Sequence, residues 1–149
     1  MEYNKSYERE DFEQYQEYLS SIKDRLPKDV FDFLADPSRH DFSERSLHDS
    51  LLEKVEYIRF LDTGKLTVSL VFINADFNRR FYFYFQNVSQ YKISQQASDM
   101  SSDLITYEVG LGQDADENEK IVFRAMFSGE NVLVEIYFDQ MSIEEKMVE

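Results

Sequence analysis

A chain of 149 residues without cysteine offers no disulfide, thiol nucleophile or cysteine-ligated metal, and its 30 acidic against 16 basic residues leave a net charge of −14 that repels nucleic acid. With 42% hydrophobic and 15% aromatic residues it carries far more apolar material than a disordered chain, and its length suits one domain. No stretch approaches the roughly 18 consecutive apolar residues of a membrane span, and the acidic start MEYNKSYERED is unlike a secretory signal, so a cytoplasmic protein with no membrane partner is expected.

From Glu8 to Leu26 the residues Phe12, Tyr15, Leu19, Ile22 and Leu26 recur at three- and four-residue spacing, the stripe of an amphipathic helix. Glu10, Glu13, Glu17 and Asp24 occupy the opposite side, and Pro27 ends the pattern. A second helix is predicted through KDVFDFLAD, with Val30, Phe31 and Leu34 on one side and Pro37 as its stop. PSRHDFSERS then reads as a loop.

From Leu47 the period becomes two. The segments SLLEKVEYIRF, KLTVSLVFINA, RRFYFYFQNV, DLITYEVGL, KIVFRAMFS and NVLVEIYFDQ make six predicted strands. Short polar turns at Asp62–Gly64, Ala75–Asn78 and Ser128–Asn131 permit antiparallel hairpins and forbid parallel crossovers. Residues 88–102 have room for a further short strand at Tyr91–Ser94 and then read as a serine-rich loop. In the tail, Ser142 and Glu145 have the spacing of a capping box, which predicts a last short helix. No internal repeat is visible. The expected fold is α+β: two N-terminal helices (8–36) packed on an antiparallel, roughly six-stranded meander sheet (47–140), with a short tail (141–149).

Two places invite a site. In SLHDSLLEKVEY, Ser46, His48, Asp49 and Ser50 bring together the residue types of a hydrolase, but an extended backbone would turn His48 and Asp49 to opposite faces. No G-x-S-x-G nucleophile elbow exists, so His48 and Asp49 form a candidate polar site rather than a catalytic one. The acidic loop with Asp114, Asp116, Glu117 and Glu119 fails as an EF-hand, because Glu119 and Ala125 stand where glycine and glutamate are required. Four glycines provide no phosphate-binding fingerprint. No catalytic residue, metal ligand or cofactor is expected.

What remains is surface. Tyr82 and Tyr84 alternate with Phe81, Phe83 and Phe85, so one face of that strand presents tyrosines of the kind interfaces favour. Together with the four acids of the loop they form the candidate interaction surface. The LHDS motif, followed by VSLVFI, FYFYFQNV and NVLVEIYFD over residues 46–139, resembles the small acidic immunity proteins of bacterial polymorphic-toxin systems and their uncharacterised relatives. The resemblance implies a non-enzymatic inhibitor that binds a cognate toxin, often a nuclease, and covers its basic active site. It carries no catalytic residues over. The expectation is a protein-binding module with a basic protein partner. The alternatives are a small hydrolase or ligand-binding protein using His48 with a distant carboxylate, and a housekeeping protein. A free sheet edge also permits a homodimer.

Overall fold

The computed structural model describes residues 9–41, 45–94, 103–128 and 133–148. Glu8, the serine-rich loop at 95–102 and most of the turn at Ser128–Asn131 lie outside them. The predicted apolar stripe becomes the inner side of helix α1 (Arg9–Ser21), where Tyr15 and Leu19 are fully buried. A one-turn 3-10 helix, Lys23–Arg25, carries the chain on to buried Leu26. Helix α2 (Lys28–Ala35) buries Val30, Phe33 and Leu34, while Phe31 packs half-buried against the core. Within the expected loop, Asp36 accepts the Ser38 N–H at 2.9 Å and starts a second 3-10 turn, Pro37–Arg39. Among the described residues no helix is long and apolar enough to cross a membrane.

Among the described residues eight antiparallel strands follow: β1 (Leu51–Arg59), β2 (Leu66–Ile73), β3 (Arg79–Gln86), β4 (Gln90–Ser94), β5 (Leu104–Gln113), β6 (Glu119–Phe127), β7 (Leu133–Phe138) and β8 (Gln140–Met147). The α+β class holds, but the single six-stranded meander does not. The strands form two four-stranded sheets, in the orders β1-β2-β3-β8 and β4-β7-β6-β5. The tail is strand β8 rather than a helix capped by Ser142, because it pairs residue for residue with β3, from Gln86 opposite Gln140 to Arg79 opposite Met147. That pairing gives β3 a second neighbour and buries Met141. The tertiary gain outweighs the helical preference of a Glu/Lys/Met-rich segment.

The chain changes sheets at one corner. Past the Gln86–Gln140 rung, residues 87–89 on one side face only 138 and 139 on the other before Gln90 pairs with Tyr137. The extra residue is a bulge, and bulges bend a two-stranded ribbon. Asn87 takes a φ of +56° there, a left-handed value that asparagine tolerates better than most residues. The ribbons β3-β8 and β4-β7 are thus one bent ribbon crossing both sheets.

The sheets pack face to face. At the start of β1, Asp49 N–H donates to Leu104 O at 2.9 Å and Leu104 N–H donates to Ser50 O at 2.8 Å, which ties β1 to β5. Six residues along β1 from Leu51, Tyr57 lies 5.2 Å from the ring of Tyr91 on β4, at the far edge of the second sheet. Strand β1 therefore runs across the strands beneath it, the arrangement of an orthogonal sandwich. Phe83 occupies the centre, with ring centroids 5.5 Å from Phe72 in its own sheet, 5.5 Å from Phe123 in the other and 5.9 Å from Phe33 on α2. The alternation in β3 turns Phe81, Phe83 and Phe85 into this core and Tyr82 and Tyr84 to the opposite face.

Candidate functional site

The SLHDS segment is a turn, not an extended strand. Ser46 Oγ accepts the His48 N–H at 3.0 Å, and Asp49 has a φ of +65°. This folds Asp49 back so that its Oδ1 lies 3.1 Å from His48 Nδ1, where an extended backbone would have separated them. The pair resembles the base and orienting acid of a triad, yet Ser46 Oγ is engaged by main chain and Ser50 is fully buried. The work of the segment is to turn the chain into β1 and fasten it to β5.

Tyr82 and Tyr84 lie half-buried on the outer face of the first sheet. Two cross-strand rungs run there, Lys54–Val71–Tyr82–Glu144 and Glu56–Ser69–Tyr84–Ser142. Burial, then the hydrogen bond to Glu144 and the negative charges of Glu144 and Glu56, raise the Tyr84 hydroxyl above its ordinary pKa. Lys146 Nζ sits 5.2 Å over the Tyr82 ring, and Arg80 grips Glu53 with its Nε and Nη2. Both tyrosines therefore already have partners within the sheet.

The acidic loop belongs to the other sheet, as the β5–β6 hairpin tip. Its Asp114 is buried, with Oδ1 accepting the N–H groups of Asp116 and Asn118, each at 3.0 Å. Burial favours the protonated acid, but hydrogen bonds from Asn118, Ser89 and Asp116, with Lys120 close by, outweigh it and hold the carboxyl below its ordinary pKa. Asp114 thus shapes the turn, and Glu117 completes it with a φ of +64°. Asp116 and Glu117 are exposed, and Glu119 pairs with Arg25 at 2.7 Å. Among the described residues, no three histidine, aspartate or glutamate side chains converge as metal ligands.

The most conspicuous surface lies elsewhere. At the end of β1 and in the turn after it, Tyr57, Ile58, Phe60 and Leu61 are all exposed, Leu61 to 94%, and Tyr91 stands beside them from β4. The sequence signal is EYIRFLD, in which two adjacent apolar pairs break the alternation, so that one residue of each pair must leave the core side. Phe60 also forms the wall of an open cleft of about 360 Å³ at the corner where the chain changes sheets, with Thr63, Thr67, Gln86, Asn87 and Asp139. Asp139 is fixed there by Lys120 at 2.8 Å and by the Asn87 amide. No protein-family model matches the chain, and no curated protein matches it.

Proposed function

We propose that this chain is a non-enzymatic protein-binding module that contacts a partner of basic surface through the Tyr57–Leu61 corner. The observation that carries the reading is the exposure of Tyr57, Ile58, Phe60, Leu61 and Tyr91 at one corner. Burying such a side chain is worth about 1.5–3 kcal/mol, and monomeric proteins seldom leave several large ones together in water. Aromatic anchors of this kind dominate the energetics of interfaces. The net charge of −14 adds long-range attraction toward a basic surface and speeds association.

In its most specific form the reading is that of an immunity protein, which covers the basic groove of a toxin domain such as a nuclease. A hydrolase built on His48 has less support, since the neighbouring Ser46 hydroxyl serves the main chain. Affinity capture from a lysate of the source organism, washed at low and then high salt, tests the proposal. The expected result is a specific basic protein retained at low salt and released by high salt. Recovery of no specific protein at low salt would overturn it.

A further inference from the structure

The two sheets are built alike. In each half of the strand region three strands form a meander, and the fourth crosses to pair with the third strand of the other half, β4 on β7 and β8 on β3. Strands β1 and β5 are therefore equivalent edges, and each has a bulge near its start, between Leu52 and Lys54 and between Leu104 and Thr106. Counted from these bulges, Tyr57 and Arg59 correspond to Val109 and Leu111.

Main-chain hydrogen bonds alternate along an antiparallel pair. Phe60 N–H donates to Lys65 O at 2.9 Å and Asp114 N–H to Asn118 O at 3.0 Å, which fixes the phase on both edges. The N–H groups of Tyr57 and Arg59 then point away from β2, as those of Val109 and Leu111 point away from β6. On β5 helix α1 satisfies both: Val109 N–H donates to the Tyr15 hydroxyl at 2.9 Å and Leu111 N–H to the Tyr18 hydroxyl at 2.8 Å. On β1 no described residue takes that place.

We infer that this edge of β1, unpaired among the described residues, receives an extended segment of the partner, which adds to the first sheet as a further strand. The inference rests on the protein-binding reading and specifies how the partner engages. A row of unpaired N–H and C=O groups is a template for another strand. Tyr57 and Tyr91 stand on the inner side of that slot, and Lys54, Glu56 and Ile58 on the outer side, so the segment carries apolar residues at the alternate positions that face inward. Lys54 and Glu56, 3.0 Å apart, cancel each other, which leaves the outer side of the edge without a guarding net charge. A second copy of the chain is the poorer occupant, because two bodies of charge −14 repel.

The test uses the captured complex. Arg59→Pro removes an outward N–H without breaking a bond to β2, as proline is tolerated on edge strands, and Arg59→Ala controls for the side chain. Strand addition predicts that Arg59→Pro weakens binding by about tenfold or more while Arg59→Ala does not. It also predicts that the Tyr57 and Arg59 amides of the wild-type protein exchange hydrogen more slowly in the complex. A complex in which both amides exchange as in the free protein, and in which the two variants bind alike, overturns the edge and leaves the protein-binding reading standing. Absence of any partner removes both.

Discussion

Position 15 shows how much rests on one oxygen atom. Tyr15→Phe leaves the buried Val109 N–H without its acceptor, and such an orphan costs about 2 kcal/mol. Tyr18 is only half-buried, so water can replace its hydroxyl and Tyr18→Phe should cost about 1 kcal/mol or less. Urea unfolding of the two variants checks the order, and equal losses would contradict it. His40 makes a second case: its ring stacks on Tyr107 at 4.4 Å and its Nε2 lies 2.8 Å from Leu34 O, so Nε2 carries a proton and donates it. His40→Ala is expected to cost about 3 kcal/mol by opening a cavity in the core, and His40→Phe less because the stack survives. The stripe containing Tyr15 was legible from its spacing. The burial of His40 was not, since it sits in a polar stretch whose composition reads as loop and is drawn inward by aromatic residues distant in sequence.

Among the elements, those whose pattern arises locally were legible. Both helices, the six long strands and the short strand at Tyr91–Ser94 follow from period and turn residues. Strand β8 does not, because SIEEKM suits a helix and its strand form comes entirely from the edge of β3. The turn at Asp49 was hidden for a similar reason: its left-handed φ is held by bonds to Leu104, far along the chain. The β5–β6 hairpin yields a prediction with a definite sign. The Asp114 carboxyl is held below its ordinary value of 3.8, so its contribution to stability is fully present above that pH and is lost as pH falls through the depressed folded value. Carboxyl carbon NMR titration should give Asp114 a midpoint below its ordinary value of 3.8, and a midpoint above that value would contradict the turn geometry.

For the whole molecule, the α+β class was legible while the division into two sheets was not. Short turns dictate antiparallel pairing, but nothing in a strand's own residues records which sheet it joins after a bend. The repeated four-strand plan was hidden because it resides in connectivity and bulge position rather than in shared sequence. Each half lends its fourth strand to the other, so neither sheet is complete from one half alone. Fragments 1–98 and 99–149 are therefore expected to be unfolded separately and to regain strand structure on mixing, measured by far-ultraviolet circular dichroism. A fragment that folds by itself would contradict the exchange.

The outward face of Tyr82 and Tyr84 was legible from the alternation in β3, while the exposed Tyr57–Leu61 corner required the strand ends to be placed in space. The decisive measurement sets these surfaces against each other. Lysate capture would use three baits: the wild type, Phe60→Ser/Leu61→Ser, and Tyr82→Ala/Tyr84→Ala, each first shown to be folded. If the corner is the docking surface, the wild type and the tyrosine variant retain the same basic protein and the corner variant loses it. Retention of that protein by the corner variant would show that the partner docks elsewhere.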